Sequence, residues 1–311
     1  MNSSGSAHDT ARNAKGPIRV LIAIPHFYRG EDPNATNRSQ RPEAMTERAR
    51  AFMATLSALH QTFGRGIYGL DHFRAKLWPT EPTVRHDVDI IVCTTGNAHL
   101  FDRVPILKSL CRRHETTAPP QMLGFECHRV LAAARGRYDY YGYLEDDIVI
   151  TDPLFFRKRR LFDRLFGPDA LLQPNRYEVR PDGPVQKLYV DYDIRPGLAA
   201  PYQDISQHPR LLLPFVDETI TVERTNYPSA GCFFLDARQL ESWVGSPAFL
   251  DGDVSYLSPL DSAVTLSVMK AFRIYKPVLD QAWFFEVLHA SPRWINAATQ
   301  IAEIAMRSEP A

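Results

Sequence analysis

The sequence lacks a charge excess of either sign: Lys and Arg total 36, and Asp and Glu total 36. A protein that binds nucleic acid through its phosphates needs a basic surplus, so the composition argues against that class. Cysteine is scarce. Cys93, Cys111, Cys127 and Cys232 form no CxxC pair and match no zinc-ligand spacing. Cys93 and Cys232 lie in apolar runs, where free cysteine behaves as a small buried hydrophobe, and all four are expected to be reduced. No run approaches the ~20 apolar residues that span a bilayer. The polar opening MNSSGSAHDTARNAKG has no apolar core of a secretory signal. A cytoplasmic protein is the expectation. Internal repeats, low-complexity tracts and a Pro/Gly linker between regular halves are also missing, which argues for one large domain in 311 residues.

What is present begins with buried-strand signatures. Ile18–Pro25 (IRVLIAIP) and Val88–Cys93 (VDIIVC) are short, nearly continuous apolar runs, the pattern of parallel strands covered on both faces. Helical spacing follows the first over residues 43–64, with Phe52, Leu56 and Leu59 on one face. A second helix is expected over 121–135, stopped by Gly136. Tyr138–Leu144 reads as an aromatic-rich strand, 153–166 as a helix and Leu171–Gln173 as the start of a strand. This alternation predicts an α/β fold with a mixed, mainly parallel sheet flanked by helices. Residues 175–228 show no long periodic stretch and read as an irregular, functional insertion. Beyond it come a strand over 229–235, a short helix over 236–246, a longer one over 259–272 and a strand over 273–278; residues 283–289 suit either. The basic run Arg157-Lys158-Arg159-Arg160 reads as a solvated helix face, with contact to an anionic membrane as the alternative.

The chemistry centres on residues 140–150, YYGYLEDDIVI. Three carboxylates at the end of an apolar strand repel one another unless a cation neutralises them. Hard oxygen ligands suit Mg²⁺ or Mn²⁺, which bind through a few carboxylates and substrate phosphates. In open α/β sheets, ligands lie beyond the carboxyl ends of strands. An acidic turn or helix cap is the plainer alternative, since Asp152-Pro153 follows.

Glu145-Asp146-Asp147 resembles the DxD-type motif of GT-A glycosyltransferases, with Glu in the first position. The resemblance implies a Rossmann-like nucleotide-diphospho-sugar transferase fold over residues 17–290, with a nucleotide-binding half over 17–150 and an acceptor half over 151–290. A polar tail over 1–16, expected to be disordered, and a helical tail over 291–311 flank it. Asp147 is then the strongest metal ligand, Glu145 contacts the ribose or metal, and Asp146 is ambiguous. Gly231, in Ser229–Phe234, would lie beside the donor sugar, or serve strand packing. Asp261, in Ser258-Pro259-Leu260-Asp261-Ser262, would be the base that deprotonates the acceptor, although helix capping also explains it. His289 would complete the metal shell, or be a core histidine. Pro25, His26, Phe27, Tyr28 and Arg29 after the first strand, and Thr94, Thr95 and Gly96 after the second, would receive the nucleotide. Tyr189, Asp191, Tyr192 and Asp193 would meet the acceptor, or pack their own loop.

The expected function is therefore Mn²⁺- or Mg²⁺-dependent transfer of a sugar from a nucleotide-sugar, by family habit a UDP-sugar, to a hydroxyl acceptor with inversion, in a role such as bacterial surface-glycan synthesis. A nucleotidyltransferase acting on sugar phosphates is the first rival. It usually carries a Gly-rich basic loop after the first strand, and HFYRGEDPNATNR has no glycine cluster. A non-catalytic nucleotide- or glycan-binding relative is the second.

Overall fold

The computed structural model describes residues 16–35, 38–80, 85–191 and 197–308. The tail expected over 1–16, except Gly16, and the acceptor candidates Tyr192 and Asp193 lie outside them.

Strand β1 (Ile18–Pro25) leads through two 3₁₀ turns into α1 (Met45–Phe63) and a hairpin of β2 (Tyr68–Asp71) and β3 (Lys76–Pro79). Then come β4 (His86–Thr95), α2 (Leu107–Leu110), β5 (Arg112–Thr116), α3 (Leu123–Ala133), β6 (Tyr140–Leu144) and β7 (Ile148–Val149). Helix α4 (Phe155–Phe166) precedes five short strands: β8 (Ala170–Leu172), β9 (Asn175–Val179), β10 (Lys187–Tyr189), β11 (Arg210–Phe215) and β12 (Glu218–Glu223). Strand β13 (Cys232–Asp236) and α5 (Ala237–Val244) follow. The chain ends with α6 (Pro259–Asp261), α7 (Ser267–Met269), β14 (Arg273–Pro277), β15 (Glu286–His289) and α8 (Arg293–Ser308).

The main sheet has the order β13-β6-β1-β4-β5. β1 runs parallel to β4 and β6, β4 parallel to β5, and β13 closes one edge antiparallel to β6. The side-chain alternation of β1 explains its nearly continuous apolar run. Val20, Ile22 and Ile24 pack with Phe52, Leu56 and Leu59 of α1, while Leu21 and Ala23 join Leu123, Cys127 and Leu131 of α3 on the other face. All four cysteines are free thiols. Among the described residues, no helix is long and apolar enough to cross a membrane.

Three expectations need correction. Residues 175–228 are not irregular: they hold β9 to β12, which build two side sheets, β10-β9-β15-β7 and β11-β12-β14-β8. Their strands are short and β11 is interrupted by Pro214; β12 does alternate, with Ile220 and Val222 buried and Thr219 and Thr221 less so, but over too few residues to stand out. The expected helix over 259–272 is capped by Ser258, which accepts a hydrogen bond from the Asp261 amide, but it passes through a π-helical stretch at Ser262–Leu266 and ends at Met269. The basic run of α4 is not a solvated face: Lys158 and Arg159 are buried, and only its ends reach solvent.

His128 on α3 sits wholly inside the core, ringed by Phe125, Tyr143, Phe233 and Trp243, with Nε2 on the Ala263 carbonyl at 3.0 Å. Burial holds its pKa down at about 3, against 6.5 for a free imidazole. The unfolded chain therefore takes up this proton first as pH falls. Stability from His128 is complete above 6.5 and is lost progressively between 6.5 and 3, reaching about 2 kcal/mol at pH 5. Urea titrations at pH 7 and pH 5 check this: His128→Phe should lose less stability between the two pH values than the wild type. An equal loss would place the acid sensitivity elsewhere.

Candidate functional site

From β1 the sheet grows both ways: β4 and β5 lie on one side, β6 and β13 on the other. At such a switch point the connections after neighbouring strands part, leaving a crevice above their carboxyl ends. The acidic triplet occupies that crevice, in the turn from β6 to β7. A cleft of about 560 Å³ opens there, lined by Pro25, Phe27, Ser39, Gln40, Arg48, Gln121, Glu145, Asp146, Asp147, Ser258, His289, Ser291, Arg293 and Trp294 among others.

The three carboxylates have separate surroundings. Asp146 is spent on structure. Arg48 Nη2 reaches both of its oxygens at 2.6 Å, and His26 Nδ1 lies 2.6 Å from Oδ2. His26 Nε2 accepts from the Leu100 amide at 3.1 Å, so Nδ1 carries the proton that Asp146 receives. Burial holds this imidazole below its ordinary pKa and keeps it neutral. The Thr55 hydroxyl donates to the Asp146 carbonyl at 3.2 Å.

Asp147 faces differently. Its Oδ2 lies 3.5 Å from His289 Nε2 and 3.4 Å from Arg48 Nη1, while its buried Oδ1 has no hydrogen-bond partner. Burial alone would raise its pKa, but His289 and Arg48 outweigh burial and hold the carboxyl well below the usual range. His289 Nδ1 is 2.7 Å from Glu178 Oε1. With Nδ1 donating to Glu178, the lone pair of Nε2 points at a carboxylate. Such a pair needs a cation beside it, either a proton on Nε2 or a metal ion. With only a proton available, Asp147 and Glu178 outweigh burial and raise the His289 pKa.

Glu145 completes the group. Burial pushes its carboxyl up, and Arg176, 3.9 Å away, only partly opposes that. Gly231 is adjacent and has φ +62°; a Cβ there would come within 3.2 Å of Glu145 Oε2 and 2.9 Å of Ile148. Its carbonyl accepts from the Glu145 amide at 2.9 Å. Glycine is thus required both for the left-handed backbone and for the close approach. Among the described residues, no cluster of three or more His, Cys, Asp or Glu side chains encloses a metal position. Asp147 and His289 face each other there, with Glu145 near them.

The structure gathers some of the sequence candidates and disperses others. Pro25, Phe27, Glu145, Asp146, Asp147 and His289 share the cleft, and Ser258 to Leu260 bring Asp261 to its rim. Asp261 is held by Ser258 Oγ at 2.7 Å and the Tyr227 hydroxyl at 3.3 Å. His26 is a buried strut, as described. Tyr28 is also buried, its hydroxyl donating to the Pro42 carbonyl at 3.2 Å, so its ring offers no stacking face. Arg29 pairs in solvent with Glu31 at 3.8 Å. Thr94 accepts from Arg113 at 2.9 Å, Thr95 donates to the Ala118 carbonyl at 2.6 Å, and the Gly96 carbonyl accepts from Arg113 at 3.1 Å; none of the three lines the cleft. Asp191 is buried against Arg176 and Lys276, which closes it to an acceptor, whereas Tyr189 is half-buried and its hydroxyl donates to Glu286.

Sequence reasoning missed Arg48, Gln121, Arg293 and Trp294. Only Arg48 left a signal. It shares a helical stripe with Phe52 and Thr55, a charged residue heading a buried face; Phe52 stacks on His26 at 4.2 Å and Thr55 holds the same acidic turn.

No family model matches the sequence, and no curated protein matches it. Among solved structures it is similar to TarS of S. aureus, at 9% identity over 83% of this chain and 35% of that one, with a TM-score of 0.38. It is also similar to a mannose-1-phosphate geranyltransferase from Thermus thermophilus, at 12% identity over 87% of this chain and 74% of that one, with a TM-score of 0.39. The chain thus spans about a third of the TarS structure's length.

Proposed function

We propose that the protein is a metal-dependent glycosyltransferase of the GT-A type. It would move a sugar from a nucleotide-sugar, expected to be a UDP-sugar, to a hydroxyl acceptor with inversion. One observation carries this reading: Asp147 and His289 face each other, 3.5 Å apart, across the switch point of a mainly parallel sheet, with Asp147 Oδ1 buried and unpartnered. Asp147 and His289 would hold Mn²⁺ or Mg²⁺, with Glu145 beside them; once bound, the ion neutralises the departing diphosphate. The chain's own residues do the rest. Phe27 and the half-exposed Trp294 offer flat faces to a base or sugar ring. Arg293, stacked at 4.9 Å over the Trp294 ring, brings a cation to the same rim for phosphate oxygens. The Asp261 carboxylate, oriented by Ser258 and Tyr227, takes the acceptor proton.

The test is a thermal-shift series of UDP, GDP, CDP and ADP with and without Mn²⁺. One diphosphate should stabilise the protein only when Mn²⁺ is present. If no nucleotide raises the melting temperature with any divalent ion, the transferase reading fails. Asp261→Asn should cut turnover by roughly 10²- to 10⁴-fold while leaving Mn²⁺-dependent nucleotide binding unchanged; unimpaired turnover would remove Asp261 as the base.

Glu178 should matter without touching any ligand. It is fully buried, orients His289 through Oε1, and through Oε2 accepts from the Trp294 and Ile295 amides at 2.8 and 2.7 Å. Glu178→Gln keeps the shape but puts a second donor against either the imidazole or the helix amides. Mn²⁺ affinity, read by electron paramagnetic resonance, should weaken about 10- to 100-fold. Unchanged affinity would show that His289 needs no such anchor.

A further inference from the structure

Among the described residues, the hairpin β2–β3 leaves several large apolar side chains uncovered. Its register pairs Tyr68 with Pro79 and Leu70 with Leu77, so these four side chains share one face. Tyr68 is 60% exposed, Leu70 63% and Leu77 62%, and Phe73 at the turn is 89% exposed. The opposite face is closed by the Trp78 ring lying over Gly69, where an added Cβ would sit 2.5 Å from the indole. A lone two-stranded hairpin is marginal in water. An uncovered row of aliphatic and aromatic side chains on one marks a surface built to meet something.

The charge around the hairpin identifies the partner. Arg65 and Arg74 lie beside the strands, Lys76 opposes Asp71 across the hairpin, and Arg85 stands just before β4. Arg157 and Arg160 of α4 come to the same end of the sheet, close enough to His86 to help depress its pKa. These are the ends of the basic run noted in the sequence, freed by the burial of Lys158 and Arg159 between them. Among the described residues, Asp71 pairs with Arg74 and Asp87 with Arg65, while Lys76, Arg85, Arg157 and Arg160 have no ion-pair partner at this end of the molecule. Aromatic and aliphatic side chains ringed by Arg and Lys suit the headgroup boundary of an anionic bilayer. A second copy of the chain suits it poorly, because two such ends would repel each other.

We propose that this end of the molecule docks on a phospholipid surface carrying anionic headgroups. Phe73, Leu70 and Leu77 enter the boundary, and the surrounding arginines contact the phosphates. The cleft lies at the other end of α1, whose 19 residues span roughly 28 Å, so docking leaves the cleft open to solvent. This is independent of the reaction proposed above.

Vesicle flotation tests it, with vesicles of phosphatidylcholine mixed with phosphatidylglycerol against vesicles of phosphatidylcholine alone. The intact chain should float with the anionic vesicles, float less at high salt, and stay behind with the neutral ones. Phe73→Ser combined with Leu77→Ser should lower the bound fraction's partition coefficient roughly tenfold or more while leaving the melting temperature unchanged. In a separate Phe73→Trp variant, brominated lipid should quench the added fluorescence. The proposal is overturned if the wild type ignores anionic vesicles, if the double variant binds them equally, or if the hairpin instead mediates a dimer that these substitutions dissolve without any vesicle binding.

Discussion

Asp147→Asn should abolish the Mn²⁺-dependent part of nucleotide binding and lower turnover on the order of 10³-fold. The substitution keeps size and shape, so its effect isolates the charge. In the wild type one carboxylate faces the His289 imidazole and the Arg48 guanidinium, with a second oxygen buried and unpartnered. An amide there supplies no anion, and two donors remain facing a neutral group. The comparison with Asp146→Asn makes the test specific. Asp146 anchors Arg48 and His26 at 2.6 Å each and so ties α1 and β1 to the acidic turn. Its loss should appear first as a lower melting temperature, with Mn²⁺ binding retained in the protein that stays folded. If instead Asp147→Asn keeps its Mn²⁺-dependent nucleotide shift and Asp146→Asn loses it, the assignment of the two neighbouring acids is reversed.

The position of the acidic turn was legible in the sequence because three carboxylates end a fully apolar strand, and that is a local pattern. The roles inside the triplet were not legible, because they depend on groups about a hundred residues away: Arg48 and His26 claim Asp146, whereas His289 claims Asp147. The core strands were equally plain, since β1 is buried on both faces beyond Arg19 and β4 is apolar from Ile90 to Cys93, so each reads as a nearly continuous apolar run. The side sheets were not. β10 has three residues and β7 two, and neither can display a period. The nucleotide candidates after β1 show the same limit at finer scale. Alternation alone sends Phe27 to the cleft and His26 and Tyr28 inward, but a strand end gives no sign of which residue begins to turn.

Arg159→Met should destabilise the protein by roughly 3–5 kcal/mol, a fall in melting temperature of about 5–8 °C for a chain of this size. The sequence places Arg159 in a run of four basic residues, which suggests a solvated face. Helical geometry places it otherwise: Phe155, Arg159, Phe162 and Phe166 follow one stripe, and Arg159 is fully buried within it. Its guanidinium donates to the Leu172 carbonyl at 3.0 Å and to Gln239 at 2.7 Å, and pairs with Asp163 at 2.8 Å. Gln239 in turn closes the capping box of α5 and donates to the carbonyls of Pro168 and Ala170. One cation thus joins α4, β8 and α5. Methionine can fill the aliphatic volume but leaves Asp163 as a buried carboxylate whose remaining close partner is the Tyr140 hydroxyl at 3.0 Å. Burial already raises the Asp163 pKa against the pull of Arg159, so losing that guanidinium raises it further, and folding must then protonate the group or bury a bare charge. Asp163→Leu in the Arg159→Met background should therefore recover a large part of the loss, because removing both charges leaves no orphan. Calorimetry of the two single variants and the double variant decides the point. Additive losses would mean that the pair is not coupled and that Arg159 acts through its carbonyl and Gln239 bonds alone.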